Sequence, residues 1–284
     1  NLQSFLDVYY AGLSVLVTER DFYDMTWAYL ERVRAENVVH TEVFVSPQGH
    51  TRRGVPIGAV IEGVAAALDD ATKRLGMTAG LIAGLQRQWS EDDALAMIDQ
   101  CLPYRDRIIG LGLGGPEVGN PPQKFVRAFE RARGLGWRTV AHAGEEGPAQ
   151  YVADTIDFLK VDRIDHGVRC EDDPTLVRRI AEASTPLTVC PISNLKLRVV
   201  NDLANHNLKR LLEAGVRVTI NSDDPSYFGG YMNENFLATQ EALDLSADQI
   251  RRIVLNGFDA AFIDAPTRHR YVQTLNDHWA RFNA

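Results

Sequence analysis

The sequence predicts an α/β protein built as a (β/α)8 TIM barrel, and three features of the chain predict it. Seven short runs rich in Val and Ile alternate with longer helical patterns along the 284 residues. Strand–helix alternation of this kind makes a parallel sheet covered by helices. The runs are apolar almost throughout rather than at every second position, as strands buried on both faces are. Chemically competent residues stand at the ends of run after run, and a barrel brings its C-terminal strand ends to one mouth. An open doubly wound sheet competes. It calls for a Gly-rich turn opening directly into a helix, with an acidic residue about 20 positions on. The glycine-rich strand end here, Gly110-Leu-Gly-Leu-Gly-Gly115, runs instead into Pro116 and Glu117.

The elements follow in order. An amphipathic pattern (Leu2, Phe5, Leu6, Tyr9, Tyr10) opens the chain at Asn1 without a Met, and a helix over 19–36 follows. The run 38–46 sets His40 and Glu42 in alternation with apolar neighbours. Helix 57–74 leads to run 77–85, and helix 92–102 to run 107–115 with its glycine cluster. Helix 122–135 leads to run 138–145, which delivers His142 to a strand end. Gly144 then lets the backbone turn sharply, and Glu145 follows. Helix 149–159 leads to run 163–168, which carries Asp165 and His166. Helix 174–183 leads to run 186–193, with Cys190-Pro near its end. Helix 207–214 leads to run 217–225, where Asp223 and Asp224 end an apolar strand and Pro225 stops it. Helical patterns over 235–243, 247–262 and 266–282 close the chain. No linker or low-complexity tract divides it, so residues 1–284 read as one barrel domain. A barrel needs eight strands, and the expected first strand would precede Asn1.

Composition narrows the partners. Lys+Arg number 30 against 38 Asp+Glu, a formal net charge of −8. Phosphate backbones need a surplus of basic residues on one face, so nucleic acid is not expected as a partner, whereas an uncharged nucleobase is. No apolar run is long enough to span a bilayer and no signal peptide is visible, so no membrane role is expected. Cys101, Cys170 and Cys190 are odd in number and widely spaced. Reduced thiols in a cytoplasmic protein are the simplest reading. Homo-oligomerisation is left open.

The strand ends carry the chemistry. Adjacent carboxylates at a buried mouth are costly unless a cation or a proton compensates. A divalent metal held by His142 and Asp223 or its neighbour would do so, and imidazole with carboxylate suits zinc. Catalytic zinc normally has at least three protein ligands, so further ligands are expected on a preceding segment.

Four pieces, His142-Ala-Gly-Glu145, Asp165-His-Gly167, Cys190-Pro-Ile-Ser-Asn194 and Ser222-Asp-Asp-Pro225, resemble the adenosine/adenine deaminase family of metal-dependent barrel hydrolases. Their order and spacing match over the whole chain. The family carries a His-x-His pair on its first strand, and this sequence has none. Val38-Val-His-Thr-Glu-Val-Phe, Glu117-Val-Gly-Asn-Pro-Pro122, Tyr227-Phe-Gly-Gly-Tyr231 and the opening ten residues look more like the adenine deaminase subgroup. One loop departs: that subgroup tends to Asp-Ser-Ser-Glu where this chain has Gly114-Gly-Pro-Glu117.

The resemblance implies hydrolysis of a 6-aminopurine, adenine first, to an oxopurine and ammonia, with one Zn2+ as cofactor. His142 and Asp223 would be ligands. Glu145 would protonate N1 and His166 would orient the attacking hydroxide. Asp224 would bind N7, the Gly115 N–H would reach N3, and Glu117 would bind the far edge of the base or be a solvated loop carboxylate. Adenosine, an N6-substituted adenine, another amine or amide, and a purine-binding relative without catalysis are the alternatives.

Other residues have blander readings. His40 and Glu42 are expected to be a satisfied core pair, and His50 a surface loop residue. His206, His269 and His278 are expected to be solvated. Phe5, Tyr9 and Tyr10 are either packing or a helical lid over the purine. Trp27, Trp89, Trp137 and Trp279 read as core or interface, and Cys190 as structural.

Overall fold

The computed structural model describes residues 1–282. In chain order its elements are α1 (Leu2–Gly12), α2 (Glu19–Ala35), β1 (His40–Val45), α3 (Gln48–Thr51), α4 (Ile57–Asp70), β2 (Thr78–Gln86), α5 (Glu91–Cys101) and β3 (Gly110–Gly114). Then come α6 (Val126–Gly134), β4 (Arg138–Ala143), α7 (Ala149–Asp154), β5 (Arg163–His166), α8 (Pro174–Ala183), β6 (Leu187–Val189) and α9 (Pro191–Lys196). The last are α10 (Leu208–Glu213), β7 (Val218–Ile220), α11 (Pro225–Phe228), α12 (Met232–Leu243), α13 (Ala247–Ala260) and α14 (Ala265–Phe282).

The seven strands are all parallel and lie side by side in sequence order, β1 to β7. A doubly wound sheet reverses its order at a switch point; this one never does, which settles the architecture as barrel-like. Among the described residues β1 and β7 do not pair with each other. All seven expected runs are strands, but β6 and β7 keep only three residues each. Beyond them the chain turns directly into α9 and α11, and it is in those turns that Cys190, Asp223 and Asp224 stand.

Capping residues fix where the flanking helices begin. Thr18, Ser90 and Ser246 each accept from the third helical N–H of α2, α5 and α13, and each is answered by a side chain returning to the cap, a reciprocal arrangement that satisfies two otherwise orphaned donors. The helices bury one stripe against the strands. Phe22, Leu30 and Val33 of α2 and Val60, Ile61 and Val64 of α4 join Leu81, Leu85, Leu111 and Leu113 in one core. Ile180 of α8, Leu211 of α10 and Ile253 of α13 close over Ile164, Leu187 and Val218 in the second.

The N-terminal end of the sheet is held by charge. Glu42 accepts from Arg163 Nη1 at 2.7 Å, pairs with His40 Nε2 at 3.0 Å and accepts from Phe262 N at 2.5 Å. Burial alone would raise the Glu42 carboxyl, but Arg163 and His40 overcome it and hold the group at about 2. The expected core pair is therefore present, with Arg163 as its third member. Trp137 is buried, while Arg74 stacks over Trp27 and Arg52 over Trp89. Among the described residues no helix is long and apolar enough to cross a membrane.

Candidate active site

Strand register assembles the mouth. In the β4–β5 pair His142 lies opposite Asp165 and Ala143 opposite His166. His142 Nδ1 is 3.2 Å from Asp165 Oδ2. Asp165 also accepts from Thr188 Oγ1 of β6 at 2.8 Å and lies 3.8 Å from Arg163 Nε. Burial opposes its charge, but His142, Arg163 and Thr188 together hold it at about 2. With Nδ1 engaged by a carboxylate, His142 keeps Nε2 for another partner, the usual arrangement of a metal-ligating imidazole.

The next residues close around it. The His166 ring stands 4.9 Å from the His142 ring, and His166 Nε2 is 3.7 Å from Glu145 Oε2. Ser193 Oγ donates to Asp223 Oδ2 at 2.6 Å. His166, Cys190 and Asp223 offer ligand atoms within 4.8 Å of one another. His142, expected as a ligand, lies beside this trio rather than within it, and Cys190 belongs to the mouth, which the sequence reading did not assign to it. Both His166 (φ 63°) and Asp223 (φ 57°) have left-handed backbones, a conformation that side chains other than glycine adopt at a cost.

The electrostatics point one way. Burial pushes the Glu145 carboxyl well above its usual range, the Asp223 charge adds to this, and His142 opposes it. Asp224 is likewise pushed well up, first by burial and then by Asp223. Burial and Asp223 raise the Cys190 thiol too. Glu145 Oε1 and His166 Nδ1 are buried and have no protein partner. Excess acid, unpartnered nitrogen and oxygen, and a mixed N, S and O donor set fit a divalent cation of the zinc type.

The remaining expected residues divide. Gly115 directly follows β3 beside the mouth: a Cβ on its neighbour Gly114 would lie 3.7 Å from His142 Nε2. Its own φ is 93°, and a Cβ there would strike Gln88 Oε1 at 2.6 Å. Glu117 is not the solvated loop carboxylate of one reading, and its carboxylate is occupied by backbone. It is 1 % exposed and accepts from the backbone N–H groups of four residues, 144 to 147. The loop bends it inward against the next strand end.

Helix α1 crosses the mouth. Leu2 N donates to Glu146 Oε1 at 3.1 Å, and Gln88 Nε2 donates to the Tyr10 hydroxyl at 3.2 Å. On the far side Phe5 meets Tyr227 and Phe228 at 5.4 and 4.7 Å between ring centres. Burial and then the Asp224 charge push the Tyr9 phenol up, and its ring stands 5.9 Å from that of Tyr227. Of the two readings of this aromatic stripe, packing is present: Phe5, Tyr9 and Tyr10 lie against their aromatic and apolar neighbours beside the mouth.

Two histidines differ from expectation. His50 is buried, edge-on to Phe22 at 4.8 Å, with Arg53 Nη2 at 3.0 Å from its Nδ1. His206 is buried too; Leu208 N donates to its Nδ1 and its Nε2 meets Asn194 Oδ1 at 3.1 Å. His50 lies in the short helix α3, and His206 in the connection before α10. His269 and His278 are exposed as expected. Arg87 was not anticipated. It is fully buried, and its Nη1 donates to the His142 carbonyl at 2.8 Å. It directly follows β2, so its place at a strand end was the available signal.

A parallel barrel-like sheet whose strand ends gather imidazoles, a thiol and acidic groups that could hold a metal ion has the architecture and site of the amidohydrolase-type deaminases. The chain belongs to the adenosine deaminase family, whose pattern matches residues 1–278. An adenine deaminase of Acinetobacter baylyi is 54% identical over 276 residues, 97% of this chain and 83% of that protein. An adenine deaminase of Cupriavidus necator is 55% identical over 280 residues, 99% of this chain and 80% of the other. Among solved structures, an adenine deaminase from Arthrobacter aurescens superposes with a TM-score of 0.97 at 45% identity, covering 99% of this chain and 86% of that one. An amidohydrolase from Burkhoderia ambifaria with bound Zn gives 0.87 at 30% identity, covering 94% and 77%.

Proposed function

We propose that the chain, acting as one barrel domain, hydrolyses adenine to hypoxanthine and ammonia in the cytoplasm. The observation that carries this reading is the pairing of a buried, acid-favouring Glu145 with His166 at 3.7 Å, in a chain more than half identical to adenine deaminases along nearly its whole length. Three buried free cysteines suit a reducing compartment.

Adenine resists attack because C6 is a weak electrophile and ammonia a poor leaving group. Glu145, kept protonated by its dry surroundings, donates to ring N1 and makes C6 attackable. His166 orients the attacking water. Asp224, also acid-favouring, donates a hydrogen bond to N7, a base nitrogen that can only accept. The Gly115 N–H, without a partner among the described residues, is offered to N3. Phe5, Tyr9 and Tyr227 cover the base and exclude bulk water. A zinc-type cation held by His142 and Asp223, with His166 and Cys190 at hand, would supply acidification of a water at neutral pH.

The test is ammonia release by metal-loaded protein from adenine, adenosine, N6-substituted adenines, pterins and cytosine. Turnover of adenine with little of adenosine is expected. No release from any 6-aminopurine overturns the reading.

A further inference from the structure

Glu145 makes no hydrogen bond at its own carboxyl strong enough to place it. Its Oε1 has no protein partner, and the nearest group to Oε2 is His166 at 3.7 Å. A side chain asked to deliver a proton to one ring nitrogen must nonetheless be held within fractions of an ångström. Its position has to be set through its backbone.

That backbone is gripped from two sides. Gly144 N donates to Glu117 Oε1 at 2.5 Å. The N–H groups of Glu145, Glu146 and Gly147 donate to Oε2 at 3.0, 2.9 and 2.8 Å. Four consecutive donors on one buried carboxylate form a closed nest, and hydrogen bonds to an ionised acceptor are among the stronger ones. Arg87 takes the other end of the turn through the His142 carbonyl, and its Nε donates to Asn120 O at 3.1 Å. Asn120 N in turn bonds back to the Glu117 carbonyl. Gly147 is shaped to this contact: a Cβ there would lie 2.6 Å from the Glu117 carboxyl carbon.

We propose that Glu117 is the positioning residue of the reaction: by binding the turn 144–147 through its four N–H groups, it fixes where the Glu145 carboxyl stands. This rests on Glu145 as the proton donor. Both carboxylate oxygens of Glu117 are taken by these N–H groups, and in this role its effect passes through the peptide backbone.

The test is Glu117→Gln in the metal-loaded protein. The carboxamide keeps the shape but sets an NH2 group against backbone donors. Amide hydrogen exchange over 144–147 is expected to quicken at least about tenfold, with the rest of the sheet unchanged. The kcat is expected to fall about 100-fold while KM for adenine stays within about threefold. Unchanged exchange at these amides overturns the proposal. So does a loss of activity that merely tracks the folded fraction, with kcat of the folded enzyme intact. If the Gln variant does not fold, Gly147→Ala displaces the same carboxylate without changing its charge, and the same two readings decide. Failure of the adenine reading shows separately, in the unaltered protein, while the exchange measurement still judges the clamp.

Discussion

His142 and Asp165 face each other across the β4–β5 pair with Nδ1 and Oδ2 3.2 Å apart. The contact fixes the imidazole tautomer, because an ionised carboxylate can only accept. Nε2 is thereby left as the basic nitrogen. Asp165→Asn offers an amide in place of the acceptor, and zinc affinity is expected to fall roughly 10- to 100-fold. Competition with a chromogenic chelator measures it. Unaltered affinity would show that His142 does not depend on Asp165.

Glu145→Gln removes the transferable proton while keeping the side chain's shape. At equal metal content, kcat for adenine is expected to drop by roughly 10² to 10⁴. A loss below tenfold would assign the proton to another group.

Stability is expected to decline in mild acid because of His206. Burial, and then Arg210, hold its pKa at about 4, against an ordinary value of 6.5. The unfolded chain therefore takes up a proton that the folded chain refuses. The stabilisation is complete above the unfolded value and is lost as pH falls from 6.5 toward 4, at up to about 1.4 kcal/mol per pH unit. His50, also held near 4 by burial and Arg53, adds to the same window. Urea unfolding at pH 7 and pH 5 is expected to show the slope, and His206→Gln to lessen it. Equal slopes in both proteins would remove His206 from the account.

Arg163 and Glu42 form a buried pair at 2.7 Å. Arg163→Met leaves the Glu42 charge uncompensated, and a loss of roughly 3–5 kcal/mol is expected by chemical denaturation. Adding Glu42→Gln should recover part of it, since the desolvated charge is then gone. A single-variant loss under about 1 kcal/mol would contradict the pairing.

Much of this molecule can be read in advance because its strands are buried on both faces. Apolar runs mark β1 to β7, and the polar residues at the C-terminal ends of β4, β5 and the turn after β7 mark the mouth. His142, Glu145, His166, Asp223 and Asp224 were visible in this way. What sequence conceals is orientation. Glu117 and Gly147 are thirty residues apart, and only the folded turn shows that the carboxylate points at backbone rather than at a base. His50 and His206 lie in short polar segments, and nothing local says that those segments are covered. Cys190 sits three residues from Ser193, yet its proximity to Asp223 depends on β6 and β7 standing side by side.

His166, the last residue of β5, and Asp223, just past β7, hold torsions that glycine would adopt more easily, at a cost of order 1–3 kcal/mol each. Selection for heat resistance would find glycine at these two posts an attractive exchange. Each such step would delete an imidazole or a carboxylate from the catalytic mouth. Durability and chemistry thus compete for the same two rotations, and a thermophilic version of this enzyme would have to find its extra stability elsewhere.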